Sequence, residues 1–117
     1  MAGCPFCDKE IIAKQTILET EHEYVLYNIR RGKNRGRCIV VPKRHVSHLG
    51  ALGADEARSL FSLVYEVSNC LRAYLHPDGI NYGCNEGVIA GQSVPHLHFH
   101  IMPGFFKMVC LNSIFFI

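Results

Sequence analysis

The stretch GQSVPHLHFHIMP, residues 91–103, sets His96, His98 and His100 at strict alternation, with Leu97, Phe99 and Ile101 between them. Near neutral pH an imidazole serves as nucleophile, proton donor, anion partner or metal ligand. In extended chain a period of two sends the histidines to one face and the apolar set to the other. The expectation is that Leu97, Phe99 and Ile101 pack into a core while the histidines face outward together. At about 3.3 Å per residue the outer pair stands roughly 13 Å apart, too far for one ion with bonds of about 2 Å to be held by all three. The three need not share one role. An unspecialised surface cluster is the plain alternative, and the ordered alternation with its glycine-rich lead-in argues against it.

That lead-in, NEGVIAGQS (residues 85–93), offers close backbone approach, amide donors and a hydroxyl, a combination suited to an anion such as phosphate. At the other end of the chain, CPFC places Cys4 and Cys7 in a Cys-x-x-Cys. A thioredoxin-like redox pair would follow a strand, and three residues precede Cys4. A zinc half-site needs two more thiolate or imidazole ligands to close a tetrahedron. His22 and His76 lie in turn-like contexts and read as surface residues. Cys38, Cys70, Cys84 and Cys110 read as small apolar core residues.

These groups need a frame. Residues 23–29 (EYVLYNI) and 37–42 (RCIVVP) are β-branched and aromatic runs joined by the turn-rich RRGKNRG, a pattern that predicts an antiparallel hairpin. From 55 to 75 the period changes: Leu60, Phe61, Val64, Val67, Leu71, Tyr74 and Leu75 recur at three- and four-residue steps, the stripe of an amphipathic helix. Asp55 and Glu56 suit its N-terminus, and Pro77 with Gly79 ends it. Residues 79–84 and 94–102 predict two further strands. The fold class is therefore α+β, an antiparallel sheet with a long helix packed on one face. Residues 1–104 read as one domain and 105–117 as an apolar tail, too short to span a bilayer and interrupted by Lys107.

The totals agree. The 117 residues are 49% hydrophobic and 19% charged, values of a globular chain rather than a disordered or membrane-spanning one. A net charge of +2 does not by itself imply a polyanion partner. No secretory signal opens the sequence, so the six unevenly spread cysteines point to a reducing cytoplasm with free or metal-bound thiols. Arg30, Arg31, Lys33, Arg35 and Arg37 crowd the hairpin loop. They read as a solvated loop, or as a lure for a polyphosphate or nucleic-acid portion of a substrate. The interleaved aromatics and second basic patch that nucleic-acid binding would call for are missing.

Taken together, His96-Leu97-His98-Phe99-His100-Ile101-Met102, the preceding NEGVIAGQSVP and the earlier VVPKRHV resemble the histidine triad (HIT) family, in order and over residues 4–103. The resemblance implies nucleotide hydrolysis or nucleotidyl transfer at an α-phosphate of a purine nucleoside phosphoramidate, dinucleoside polyphosphate or related ester. It makes His98 the nucleophile that forms a covalent nucleotidyl intermediate. His100 would bond the phosphate oxygens, and Gln92 and Ser93, beside Gly91, would hold the phosphate or assist the leaving group. Asn28 and Asn85 would contact the ribose. It also implies a structural zinc on Cys4, Cys7, His45 and His96, with His48 as a rival ligand, and a homodimer. Two other classes compete: a non-catalytic nucleotide-binding module, and a phosphoesterase in which two triad histidines hold a catalytic ion. The hairpin loop and the residues beyond Pro103 depart from the family pattern.

Overall fold

The computed structural model describes residues 2–27 and 35–105. Asn28, most of the basic loop and the tail from residue 106, Cys110 included, lie outside the described residues. In chain order the elements are α1 (Lys9–Gln15), β1 (Thr16–Glu19), β2 (Glu23–Tyr27), β3 (Cys38–Pro42), α2 (Ala54–Leu75), β4 (Gly79–Gly83) and β5 (Phe99–Gly104), with single 3-10 turns at Leu49–Ala51 and Val88–Ala90. The strands form one antiparallel sheet in the order β1-β2-β3-β5-β4. The expected hairpin is β2–β3, in register from Glu23 opposite Pro42 to Tyr27 opposite Cys38.

Helix α2 covers one face of this sheet. Leu60, Leu63, Val64 and Val67 pack against Val25, Cys38, Val40, Leu97 and Ile101. The stripe is narrower than the sequence pattern implied. Tyr74 is 81% exposed, and Phe61 is half exposed while its ring meets the edge of Phe99 at 5.6 Å. The helix ends at His76, which takes a left-handed conformation (φ 50°) just before Pro77. This is a capping position of the kind that closes many helices. Cys38 is a core residue as expected, but Cys70 is exposed on α2 and Cys84 only half-buried.

The other face is where the structure departs from expectation. It carries Leu26, Val41 and Ile39 and is roofed by the N-terminal segment through Ile12 and Phe6. Helix α1 begins where Asp8 accepts the backbone N–H groups of Glu10 and Ile11 at 2.9 and 3.3 Å, a side-chain N-cap. Neither α1 nor β1 was legible as an element, because seven and four residues give too few turns or alternations to show a period. Since His100 sits opposite Ile39 in the ladder, the histidine face is this roofed face. The histidines therefore do not face solvent: His96, His98 and His100 are all buried. The last strand also starts at Phe99, not Val94, so His96 and His98 occupy irregular chain before it.

Because Leu60 is fully packed between helix and sheet while Tyr74 is not, truncations at the two positions should differ sharply. Leu60→Ala is expected to cost about 2–5 kcal/mol, and Tyr74→Ala to stay within about 0.5 kcal/mol. Urea denaturation of the two variants measures both.

Candidate functional site

Four residues from three distant parts of the chain converge beneath the N-terminal roof. The ligand-type atoms of Cys4, Cys7, His45 and His96 all lie within 4.8 Å of one another. His45 Nδ1 and His96 Nδ1 are 3.1 Å apart, Cys7 Sγ is 3.3 Å from His45 Nδ1, and both sulfurs are 3.5 Å from His96 Nδ1. Around one tetrahedral ion with bonds of about 2.0–2.3 Å, neighbouring ligand atoms stand roughly 3.3–3.8 Å apart. The cluster fits such an ion. Two thiols and two imidazoles are also the donor set that a soft or borderline divalent metal prefers.

The ring orientation supports the same use. His96 Nε2–H donates to the Pro42 carbonyl at 2.7 Å, which leaves the Nδ1 lone pair aimed at the cluster. Burial lowers the His96 pKa and so keeps the ring neutral, the form a metal binds. Burial also raises the Cys4 thiol above its ordinary value, a cost that a bound cation would offset by stabilising the thiolate. His48 is exposed and stands outside the group.

The segment that delivers His45 is clamped to the start of α2. Arg44 donates twice to Glu56, at 3.0 and 2.7 Å, and once to the Ala51 carbonyl at 2.7 Å. Glu56 also accepts the Gly53 N–H at 2.9 Å, one half of a capping box. The Arg44 guanidinium first, and the Gly53 amide next, hold the Glu56 carboxyl down at about 2.

His98 follows two residues after the metal-type histidine. Its Nδ1–H donates to the His96 carbonyl at 2.8 Å, so the lone pair resides on Nε2. Burial lowers its pKa and keeps the ring neutral, which is the nucleophilic form. Phe6 packs edge-on against both His96 and His98, with centroids 5.7 and 5.1 Å away. The His98 and His100 rings meet edge to face at 4.9 Å. A neutral, oriented imidazole beside a second imidazole is an arrangement that can attack an electrophile and steady the charge that develops.

The glycine-rich loop is a closed turn. Gln92 Oε1 accepts the Gly87 N–H at 2.8 Å, and Gln92 N–H returns to the Gly87 carbonyl at 3.0 Å. Gly87 and Gly91 take φ of 88° and 96°, which L side chains rarely adopt. Asn85 Nδ2 reaches the Gly91 carbonyl at 3.4 Å, and Ser93 is exposed at the loop's end. Gln92 Nε2 donates to the Ser47 carbonyl at 3.1 Å. Sequence reasoning missed Phe6, the Pro42 carbonyl, the Arg44–Glu56 clamp and Glu86, which accepts the Leu49 N–H at 2.8 Å. Their only signal was proximity in sequence to motif residues, which does not say what each one touches.

An α+β sheet with a buried histidine row, a thiol–imidazole cluster and a closed glycine loop defines a recognisable class. The HIT domain family matches residues 9–107, and the chain belongs to that family. A HIT family protein from Bacillus anthracis str. 'Ames Ancestor' has a similar structure, with a TM-score of 0.80 and 32% identity over 92% of this chain and 77% of that one. A Zn-bound histidine triad family protein from Mycobacterium smegmatis is similar at a TM-score of 0.75 and 28% identity, over 89% of this chain and 76% of its own. The bis(5'-nucleosyl)-tetraphosphatase [asymmetrical] of Schizosaccharomyces pombe is 38% identical over 68 residues, 58% of this chain and 37% of that enzyme. This chain thus spans well under half of that relative's length.

The clamp has a pH signature. Glu56 is held near 2 in the folded chain against about 4.5 when unfolded, so it adds stability above pH 4.5 that is lost as the pH falls from there toward 2. Glu56→Gln should flatten that part of the acid-denaturation profile relative to the unaltered chain. Superimposable profiles for the two proteins would show the clamp to be idle.

Proposed function

We propose that this chain is a nucleotide hydrolase or nucleotidyl transferase that cleaves at the α-phosphate of purine nucleoside phosphoramidates, dinucleoside polyphosphates or related esters. The observation that carries the reading is the orientation of His98: its Nδ1–H is donated to the His96 carbonyl at 2.8 Å, and burial keeps the ring neutral with Nε2 as its lone-pair atom. In the proposed sequence Nε2 attacks the α-phosphorus, a P–N bond forms, and the bond to the leaving group breaks. The leaving group takes up a proton relayed from solvent through the Ser93 hydroxyl, and an equivalent proton returns to solvent when water attacks in the second step. Water then attacks the same phosphorus, the P–N bond to His98 breaks, and the mononucleotide leaves. Splitting one displacement into two lowers the barrier of each. His100 and the loop of Gly91, Gln92 and Ser93 meet the phosphate oxygens, while Asn85 and Asn28 take the ribose. Gln92 serves by fastening the loop, since its Oε1 accepts the Gly87 N–H within the loop and its Nε2 donates to the Ser47 carbonyl outside it.

The metal of this reading is zinc, held by Cys4, Cys7, His45 and His96, and its role is structural. It pins the N-terminal segment, and with it Phe6, over the histidine row. The Zn-bound neighbour from Mycobacterium smegmatis and the fit of the donor set support that choice. The Schizosaccharomyces pombe relative supports the chemistry at the level of nucleotide hydrolysis. A homodimer and a cytoplasmic setting complete the reading, on family likeness and on the thiols. Among the described residues no helix is long and apolar enough to cross a membrane. Residues 1–104 make the working domain in this proposal, and no nucleic-acid partner is assigned.

Two experiments test it. Intact-mass spectrometry of protein quenched with an adenosine phosphoramidate should find a nucleotidyl adduct on His98, and His98→Ala should lose at least about a thousandfold in turnover while still binding AMP. Unaltered turnover in that variant removes His98 as nucleophile, and binding without any mononucleotide release would make the chain a binder. Separately, elemental analysis should give zinc at one per chain, and Cys7→Ser should lose the metal together with thermal stability. A melting temperature indifferent to chelator and to Cys7→Ser would rule the structural zinc out.

A further inference from the structure

We propose that Glu86 is a positioning residue: its carboxylate anchors the glycine-rich loop, residues 85–93, on the 47–49 turn and so sets the loop to receive the nucleotide phosphate. The inference rests on the reading of this loop as a phosphate site. Leu49 opens a 3-10 turn whose preceding residue, His48, makes no side-chain cap. The first N–H of such a turn has no partner within the turn itself. Here Leu49 N–H donates to Glu86 Oε2 at 2.8 Å, from 37 positions away. The cap is supplied by the loop.

A second tie runs from the same loop to the same turn, where Gln92 Nε2–H donates to the Ser47 carbonyl at 3.1 Å. Glu86 and Gln92 flank the 3-10 turn Val88–Ala90, so the loop is fastened on both sides of its tip. The tip itself contributes nothing apolar to its own fixation, because Val88 is 89% exposed and Ile89 fully so. With no burial to hold it, the loop's position depends on these polar ties. Glu86 also leads directly into Gly87, whose φ of 88° begins the turn that Gln92 closes. Fixing the Glu86 side chain therefore fixes where that turn starts.

The support is itself rigid relative to the histidine row. The Val46 carbonyl accepts the Leu97 N–H at 2.7 Å, and His45 belongs to the four-residue cluster. Segment 45–49 is thus bonded to residue 97 on one side and to residues 86 and 92 on the other. Loss of the Glu86 tie frees the start of the loop but leaves His98 on its own carbonyl partner. The consequence falls on phosphate binding rather than on the attacking group.

The test compares the full chain with Glu86→Ala and Glu86→Gln, the second of which keeps an acceptor oxygen for Leu49. Three measurements are made: amide hydrogen exchange, calorimetric affinity for AMP, and kcat and KM with an adenosine phosphoramidate. In Glu86→Ala exchange should quicken at Leu49 and through residues 87–92, and Kd and KM should rise about tenfold with kcat within about twofold. Glu86→Gln should restore all of these. Unchanged exchange or unchanged AMP affinity in Glu86→Ala overturns the proposal, as does a Gln variant as impaired as the Ala one. If the unaltered chain neither binds AMP nor turns over a nucleotide, the phosphate-site reading itself falls. Faster exchange in Glu86→Ala would then still mark the anchor, so the two failures are told apart.

Discussion

His96 has every polar atom committed. Its N–H donates to the Val94 carbonyl at 2.8 Å, its carbonyl accepts His98 Nδ1–H, its Nε2–H goes to Pro42, and Nδ1 faces Cys4, Cys7 and His45. An imidazole with no exposure to water has to find partners for both nitrogens, since leaving either unmet would cost about 1–3 kcal/mol. Each partner here sits on a different part of the chain: the end of β3, the N-terminal segment, the 45–49 connection and the triad itself. One buried ring thereby ties the roof, the sheet and the row of histidines together.

The neighbouring features follow from that commitment. With the His96 carbonyl taken by Nδ1–H, His98 is left in a single tautomer whose lone pair is on Nε2. The N-terminal roof then dries the row, because Phe6 packs edge-on against both rings and Ile12 closes on Leu26 and Val41. Dryness keeps the imidazoles of His96 and His98 neutral, and a neutral imidazole is what a metal or an electrophile requires. The roof is held by a short helix and a two-cysteine turn, elements too small to be stable alone. A metal held by Cys4, Cys7, His45 and His96 would cross-link them to the rest of the chain, which suits that weakness.

A second layer of order is polar and lies nearer the surface. Arg44 and Glu56 fasten the His45 segment to the head of α2, and the glycine-rich loop fastens to the far end of the same segment. Residues 42–49 contain almost no regular structure, yet they collect bonds from β5's approach, from α2 and from the loop. Such a segment can carry precise geometry because its partners are rigid, although its own backbone repeats nothing.

How much of this was legible beforehand depends on how local each signal was. The β2–β3 hairpin, the long helix and the four metal-type residues came from alternation, from a three-and-four period and from motif resemblance, all of which are written along the chain. Strand spacing pointed to unequal roles for the three histidines, and in the structure His96 joins the thiol–imidazole cluster while His98 and His100 stand outside it, although His96 and His98 lie in irregular chain rather than in a strand. Burial of the histidine face was not legible. Alternation says only that two faces differ, and what covers each face is decided by segments far away in sequence. Here Cys4 to Ile12, with too few residues to display a period, supply that cover. The tautomer of His96 and the anchoring of Glu86 and Gln92 on residues 47–49 likewise arise from pairings 37 to 54 positions apart, while the tautomer of His98 is set by a carbonyl two residues away. Residue types and spacing were enough to name the chemical groups available and to separate the two faces of the chain. Which of them are dry, which His96 nitrogen holds the proton, and which distant carbonyls hold the side chains in place came from the folded chain, since hydrogen bonds between distant segments exist only once the chain has closed on itself.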